Sequence, residues 1–376
     1  MGHEVKVLTG FPNHPTGVIP EEYRGEIRRR EIVDGIEVIR TWVFATPNKG
    51  FVKRVINYIS FPISAILLGT PVIGSCDVVI ATSPQFFVGG AGYIIGKFKR
   101  RRFIFEVRDL WPDSIEAVGA MSNRPILHIL RSIEQFLYRR ADKIIGVANS
   151  TKDILSKRGV LKSKIYVVPN GADVNLFSPG PKQNHVRSEY GIAEDDFVIS
   201  YIGTHGMAHG LETVLDAALR FRDNGCIKFL FVGEGSEKEK LINMAKCYAL
   251  KNVMFIDQQP KNLIPYFYQA SDICLVSLMD KPLFRAVVPS KMFEIMSCAR
   301  PLVLSVRGEA CNLLRRANAG ISIEPENPNQ LVDAILSFYR HRNLADSLGN
   351  NGREFVEKFF SRRKMAVDYI EILSSN

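Results

Sequence analysis

The chain has 376 residues, a hydrophobic fraction of 46%, a charged fraction of 23% and a formal net charge of +10. These values are typical of a globular protein, and the length favours two domains. The six cysteines form no C-x-x-C pair and have no histidine at metal-ligand spacing, so neither a zinc site nor a disulfide framework is indicated. Because the first apolar run is too short for a signal peptide, we expect a cytoplasmic protein.

Positive charge is concentrated in the first half of the chain. Residues 1–170 contain 25 Lys and Arg against 15 Asp and Glu, whereas residues 171–376 contain 24 of each sign. No helix-turn-helix, zinc or RNA-binding signature accompanies this charge, so nucleic acid is not the expected partner. An anionic inner-leaflet surface or a pyrophosphate-linked lipid fits at least as well.

Predicted strands and helices alternate along the first half. Near-continuous apolar runs predict buried parallel strands at residues 5–8, 36–39, 77–81, 103–107, 143–147 and 164–168. One clear helical pattern lies at 125–140, and PNG at 169–171 ends the alternation.

The segment 55–76 contains no charged residue and follows Lys53 and Arg54. Three interpretations are open. A transmembrane helix is disfavoured because Pro62, Gly69 and Pro71 interrupt the segment. A buried core helix is the purely structural interpretation, and an interfacial helix that inserts partly into a membrane is favoured slightly over it.

The second half repeats the alternation. Strands are predicted at residues 197–202, 228–232, 252–256, 272–278, 301–306 and 320–323, with helices between them and a helical tail at 330–373. The sequence therefore predicts an α/β protein with two doubly wound, Rossmann-like domains facing one another across a cleft. We predict a first domain at 1–177, a second at 178–355, and a terminal helix at 356–376 that could cross back to the first.

The segment VPSKMFE at 288–294 is the most informative motif. It predicts a helix that begins at Ser290 and Lys291 and carries Glu294 one turn later. Such a helix start binds phosphate, Lys291 adds positive charge, and Glu294 can accept hydroxyls of a ribose. An ordinary amphipathic helix with solvated charges is an equally good interpretation of these seven residues alone.

Two glycine turns follow predicted strands. Gly203, Thr204 and His209 lie in the turn at 202–210, and Gly233 and Gly235 lie in the turn at 232–236. Glycine allows the backbone to approach a phosphate closely. Because neither turn has a dinucleotide-binding spacing, each alone is more readily explained as a structural turn.

Four motifs in this order resemble the family 4 retaining glycosyltransferases with the GT-B fold: PNGADVNLF at 169–177, the turn at 203–210, VGEG at 232–235 and PSKMFE at 289–294. Within that family, GFPNHPTG at 10–17 and RDLWP at 108–112 resemble the branch that builds O-antigen and capsule repeats, notably the L-fucosamine transferases. This resemblance covers essentially the whole chain.

The resemblance implies roles for individual residues. Glu294 corresponds to the second glutamate of the family's E-x7-E motif and binds the donor ribose, whereas the first glutamate is replaced by Ala286. The basic residues that usually hold the diphosphate are replaced by Thr204 and His209. Phosphate neutralisation would then rest on Lys291, backbone N–H groups and Arg285.

The start of the chain departs from the family. GHEV at residues 2–5 resembles the family's second strand, so a first βα unit is expected to be missing, with its glycine loop that closes over the donor. A parallel sheet without that central strand would expose apolar edges, and we expect little transfer from such a chain.

The resemblance also implies the reaction. The expected donor is a UDP-linked N-acetylated hexosamine, and its hexose passes with retention of configuration to a lipid-linked saccharide. No cofactor is expected, and no metal is expected because no Asp-x-Asp sequence occurs. Lys291 and Asp109 are the candidate catalytic residues, although Asp109 is as readily explained as a turn cap. A nucleotide-sugar epimerase and an inactive nucleotide-sugar-binding protein remain alternatives.

Overall fold

The computed structural model describes residues 2–13, 17–46, 51–83, 87–119 and 121–375. It divides into two compact units, one formed by Met1–Gly146 with Leu155–Tyr166 and the other by Val147–Ile154 with Val167–Asn376. The carbonyl groups of Val174 and Phe177 accept hydrogen bonds from Arg353, at 3.0 and 2.9 Å. This contact attaches the segment 174–177 to the second unit.

The first unit contains two sheets among its described residues. Its strands are β1 (Lys6–Gly10), β2 (Arg28–Val33), β3 (Ile36–Thr41), β4 (Val78–Thr82), β5 (Arg102–Val107), β6 (Lys143–Gly146) and β7 (Ile165–Val167). One sheet has the order β1-β3-β2 and the other has the order β4-β5-β6-β7. Strand β2 was not predicted; it pairs antiparallel with β3.

One edge of β1 and one edge of β4 are unpaired in the described part of the first unit. Val7 on β1 is 38% exposed and Ile80 on β4 is 42% exposed. These apolar side chains lie at strand edges, where an additional strand could pair. The missing βα unit expected from the sequence stays a prediction.

Four helices accompany these strands in the described residues: α1 (Phe51–Ser64), α2 (Phe87–Lys99), α3 (Asp113–Ala117) and α4 (Arg124–Arg140). Helix α5 (Asn149–Lys157) begins in the second unit and ends in the first. Helix α1 continues into a π-helical turn at Ala65–Gly69. Helix α4 matches the predicted helix at 125–140, and the Asn123 side chain caps it by accepting from the Ile126 N–H at 3.1 Å. Within the described ranges, no helix has the length and apolarity needed to cross a membrane.

The second unit is a doubly wound sheet with helices. Its strands are β8 (Phe197–Ile202), β9 (Ile227–Val232), β10 (Val253–Ile256), β11 (Ile273–Ser277), β12 (Leu302–Ser305) and β13 (Gly320–Ser322). Their order is β10-β9-β8-β11-β12-β13, and all neighbours are parallel. This is the strand order of a Rossmann fold, with its switch point beside β8, where ligands bind outside the carboxyl ends of the strands.

The helices of this unit cover the sheet. They are α6 (His185–Glu189), α7 (Glu212–Leu219), α8 (Lys238–Cys247), α9 (Ile264–Ala270), α10 (Lys291–Ser297), α11 (Glu309–Ala317), α12 (Pro328–Arg340), α13 (Arg342–Phe359) and α14 (Arg362–Ser374). The core contains fully buried aromatic side chains of the central strands, including Phe197, Phe229 and Phe231. Because these central strands are buried along their length, a ligand can reach them only at their carboxyl ends.

Candidate functional site

Lys291 is the first residue of α10, and its ammonium group is buried. The Nζ atom lies 4.0 Å from the centroid of the Tyr201 ring at the end of β8. No residue of the described chain is within hydrogen-bond reach of this atom. Burial lowers the pKa of Lys291 to about 7, and the Glu294 carboxylate partly opposes this effect. A buried amine without a counter-ion can be stabilised as a cation by an anion that binds beside it.

The two glycine turns pack against each other and against this lysine. A Cβ atom at Gly203 (φ +139°) would lie 2.6 Å from the Lys291 Nζ atom, and a Cβ atom at Gly233 (φ +144°) would lie 2.0 Å from the Gly203 carbonyl oxygen. At Gly235, a Cβ atom would lie 2.3 Å from the His205 carbonyl oxygen. The structure therefore brings the predicted residues Gly203, Gly233 and Lys291 together. Position 233 requires glycine because the backbone of Gly203, and not a ligand, lies close to it.

His209 and Thr204 lie where the family places basic residues. The Nδ1 atom of His209 is 3.2 Å from the Ser277 carbonyl oxygen, so this nitrogen carries the proton and donates it. Burial lowers the pKa of His209 to about 4, and the charge of Lys291 adds to the effect. Thr204 is exposed, and its carbonyl accepts from the Tyr201 hydroxyl at 2.9 Å. Neither side chain brings a positive charge at neutral pH.

His205 was not singled out from the sequence. Its side chain is fully buried, with the rings of Tyr201, Phe231 and Phe255 at centroid distances of 5.9, 6.1 and 6.4 Å. Within the described structure, neither ring nitrogen has a hydrogen-bond partner. Burial lowers the pKa of His205 to about 4, and the positive charge of Lys238 contributes. Only the packed fold reveals this aromatic environment.

This buried histidine predicts a pH effect on stability. Its folded pKa of about 4 lies below an unfolded value of about 6.5, so the unfolded chain takes up a proton first as the pH falls. From about pH 7 to about pH 5, the wild type should therefore lose about 2 kcal/mol more unfolding free energy than His205→Leu. Denaturant unfolding at both pH values measures this difference. Equal losses in the two proteins would contradict it.

Glu294 lies on α10, three residues after Lys291. Burial raises its pKa, and the charges of Lys261, Arg362 and Lys291 partly offset that rise. A half-buried carboxylate flanked by cations can accept hydrogen bonds from the two hydroxyls of a ribose. The structure thus places Glu294 within the same helix turn as Lys291, although its ribose contact stays a prediction.

Ser290 and Arg285 are the remaining residues predicted to bind the nucleotide-sugar donor. Ser290 is exposed immediately before α10, and its side chain makes no capping hydrogen bond. Arg285 lies in the 3-10 turn Pro282–Ala286, half exposed, with Nη2 3.5 Å from Oδ1 of Asp280. Ala286, where the family has its first glutamate, is buried at 7% exposure. The phosphate contact of Arg285 stays a prediction.

Asp109 belongs to the first unit and follows β5. Burial raises the pKa of Asp109. The N–H groups of Arg108 and Asp109 point at the Ser83 hydroxyl oxygen, at 2.9 and 3.3 Å, and fix the turn. Helix α3, which follows this turn, begins after Pro112 and has no side-chain cap at its start. Its catalytic role stays a prediction.

The motif at 10–17 is only partly described, because residues 14–16 lie outside the described ranges. Phe11 is buried, and the Asn13 side chain donates to its carbonyl at 2.9 Å. In the described ranges, no group of three His, Cys, Asp or Glu side chains could hold a metal ion. The expectation of a metal-independent reaction is not tested by this finding.

Comparison with known proteins identifies the family. Residues 182–355 match the domain family "Glycosyl transferases group 1", and residues 1–176 match "Glycosyltransferase Family 4". The chain therefore carries both domains of a glycosyltransferase. The GT-B fold expected from the sequence is thereby confirmed, with a Rossmann strand order visible in the second unit.

Similar proteins extend this result. WcaI of Escherichia coli (strain K12), provisionally named a colanic acid biosynthesis glycosyl transferase, is 23% identical, with 98% of this chain and 91% of that protein covered. TuaH of Bacillus subtilis (strain 168), provisionally named for teichuronic acid biosynthesis, is 24% identical over 53% of this chain and 49% of that protein.

Two solved structures share the fold. Anabaena Alr3699/HepE in complex with UDP-glucose superposes with a TM-score of 0.75 at 15% identity and full coverage of both chains. Sucrose-phosphate synthase from Thermosynechococcus elongatus gives a TM-score of 0.73 at 18% identity, with 99% of this chain and 88% of that chain covered. At this level of identity the likeness establishes the fold alone.

Proposed function

We propose that this GT-B glycosyltransferase moves a sugar from a nucleoside-diphosphate sugar to a lipid-linked saccharide in surface polysaccharide synthesis, with retention of configuration. The observation that carries the proposal is the buried Lys291 amine, which lies 4.0 Å from the Tyr201 ring centroid and beside the glycine turns. A diphosphate is the anion that fits such a position at the carboxyl ends of β8 and β9. The names of WcaI and TuaH support the polysaccharide context.

In the proposed reaction, the bond from the anomeric carbon to the β-phosphate oxygen breaks while the acceptor oxygen bonds to the same face. The acceptor proton passes to the leaving phosphate, so no separate protein base is needed. Lys291 stabilises the charge that develops on the diphosphate. We assign donor binding to the domain at 178–355. We assign acceptor binding, with a role for Asp109, to the domain at 1–177, and we propose that the helix at 356–376 crosses back to that domain.

We propose UDP as the donor nucleotide and an N-acetylated hexosamine as the sugar. The resemblance of residues 10–17 and 108–112 to L-fucosamine transferases supports the sugar class. The crystal structures of HepE contain UDP, UDP with glucose, or UDP-glucose, which is in keeping with a uridine nucleotide here. Glu294 would bind the ribose, and Ser290 with the 203–210 turn would bind the phosphates.

A lipid-linked acceptor implies a location at the membrane. We propose that the protein is cytoplasmic and peripherally associated with the inner face of the cell membrane. The excess of ten positive charges within residues 1–170 and the uncharged segment 55–76 support this location.

A transfer assay tests the proposed function. The chain is incubated with UDP-N-acetylhexosamines and a lipid-pyrophosphate saccharide, and the anomeric configuration of the product is read by NMR. A product with the donor's configuration is expected, and Glu294→Gln should raise the donor KM about tenfold or more by weakening a charge-assisted hydrogen bond. Acceptor-independent conversion of the donor would instead indicate an epimerase. Donor binding without any conversion would indicate an inactive binding protein.

A further inference from the structure

Among the described side chains of helix α1, two serines are buried and several large aliphatic residues are exposed, which is an inverted polarity. Ser60 and Ser64 are 7% and 5% exposed. The Ser60 hydroxyl oxygen accepts from the Phe44 N–H at 2.9 Å, and the Ser64 hydroxyl donates to the Thr41 hydroxyl at 3.0 Å. Hydrogen bonds therefore attach this helix to the end of β3 and to the segment after it, and the apolar face is left outward.

The outward face forms one stripe at helical spacing. It consists of four residues, Ile56, Ile59, Ile63 and Leu67, which are 44%, 38%, 51% and 66% exposed. Spacings of three and four residues place them on one side of the helix and its π-helical continuation. Large aliphatic side chains in such a row are unfavourable in water, and a contiguous patch of this kind indicates an interaction surface.

Basic side chains lie beside the end of the stripe. The segment 53–76 that carries the stripe contains Lys53 and Arg54 and no Asp or Glu. The exposed Arg28 of β2 donates to the Leu68 carbonyl at 3.4 Å, and the exposed Arg30 donates to the Val72 carbonyl, so both lie beside the end of the stripe. Arg30 also pairs with Glu37 at 3.2 Å. Arginines next to exposed aliphatic side chains match the headgroup and acyl regions of an anionic bilayer.

We propose that the stripe of Ile56, Ile59, Ile63 and Leu67 is the surface by which the protein docks on an anionic lipid bilayer. This inference extends the proposed function, in which the acceptor is lipid-linked, by assigning the face that meets the membrane. The helix lies in the interface with the stripe inserted, and Arg28 and Arg30 contact lipid phosphates.

Another basic surface of the same unit provides a matched control. Phe98 at the end of α2 is 71% exposed and is flanked by the basic residues of the segment 97–102. This surface combines a single exposed aromatic side chain with more charge than the stripe has. A variant of Phe98 therefore distinguishes insertion of the stripe into the bilayer from electrostatic attraction of any basic patch to anionic lipid.

The test is flotation of the full chain with phosphatidylglycerol-containing vesicles and with phosphatidylcholine vesicles, without donor or acceptor. The wild type should float with the anionic vesicles only, and less at high salt. The double variant I63E/L67E should lower the partition coefficient about tenfold or more, because burial of each aliphatic side chain is lost, whereas Phe98→Glu should change it little. No flotation of the wild type, or loss with Phe98→Glu alone, would overturn the proposal.

A second pair of variants keeps the test valid if I63E/L67E fails to fold. Leu67→Trp should show a blue shift of its additional fluorescence when anionic vesicles are added, and Phe98→Trp should show none. A blue shift of Leu67→Trp without vesicles, accompanied by a doubled mass in sedimentation, would mean that a second copy of the chain covers the stripe. Because these assays involve no transfer, their failure is distinguishable from failure of the proposed reaction.

Discussion

Lys291→Met is expected to weaken UDP binding about tenfold or more while raising the thermal unfolding temperature. The amine is buried with its Nζ atom 4.0 Å from the Tyr201 ring centroid, and a diphosphate would supply its missing counter-ion. A charge-assisted contact of this kind contributes about 1.5–3 kcal/mol to binding. Methionine keeps the packing and removes a desolvated amine, so the unliganded fold should gain stability. Calorimetry with UDP and a thermal scan measure the two effects.

The same lysine gives UDP affinity a pH dependence. Burial sets the pKa of Lys291 at about 7 in the free protein, and a bound diphosphate would raise it. Above that pH the free amine is neutral and must take up a proton on binding, so affinity should fall as the pH rises from about 7 to about 9. Lys291→Met should lose this dependence. Lys240→Met, which removes an equal charge from a side chain that is 61% exposed, should keep it.

A wild-type affinity that stays constant over this range would contradict the assignment of Lys291 to the phosphates. Unchanged UDP affinity in Lys291→Met would do so as well. A fall in both affinity and thermal stability would instead mean that the variant damages the fold.

The fold of the second unit could be predicted closely from the sequence. Each of its six predicted strands overlaps one observed strand, because strands buried on both faces have continuous apolar runs that are hard to mistake. The sheet order also follows from βα alternation, since right-handed crossovers leave few alternatives. Even so, β13 ends at Ser322, one residue before the predicted end at 323.

The first unit was less predictable. Strand β2 reads RRREIV, in which three consecutive arginines hide the strand pattern. It forms because β3 offers an edge and the Asp34-Gly35 turn, with φ values of 50° and 79°, permits a hairpin. Helix α1 lies partly in the uncharged segment 55–76, for which the sequence favoured an interfacial helix slightly over a buried one. Its inverted polarity depends on which residues of β3 and the following segment it meets, and this cannot be found from local pattern.

The candidate site could be predicted in part. Gly203 and Gly233 follow neighbouring strands, so their proximity follows from the sheet order once β8 and β9 are known to pair. Lys291 comes from a helix 88 positions later in the chain, and its contact with Tyr201 depends on how α10 packs on the sheet. The aromatic surroundings of His205 come from three different strands or turns. Such contacts between distant segments have no local sequence signal.

Gly233→Ala is expected to be the most damaging single substitution at the candidate site. The backbone of Gly233 has φ +144°, and a new Cβ atom would lie 2.0 Å from the Gly203 carbonyl oxygen. Backbone atoms cannot move aside as a flexible side chain does, so the two turns must separate. Steric strain and the unfavourable φ together should cost about 3 kcal/mol or more, well above the gain of about 0.4–1 kcal/mol from a stiffer unfolded chain.

Separation of the turns should also abolish UDP binding, because Gly203 lies directly against Lys291: a Cβ atom at 203 would lie 2.6 Å from the Nζ atom. Calorimetric scans with and without UDP identify the unfolding transition of the unit that binds UDP, since a ligand raises the temperature of only that transition.

Gly225→Ala is the matched control, because a Cβ atom there meets no atom within 4 Å. That control should shift the free energy of unfolding by about 0.5 kcal/mol or less. If Gly233→Ala behaves like Gly225→Ala in both measurements, then the two turns are not packed against each other as described, and the position assigned to the phosphates is wrong.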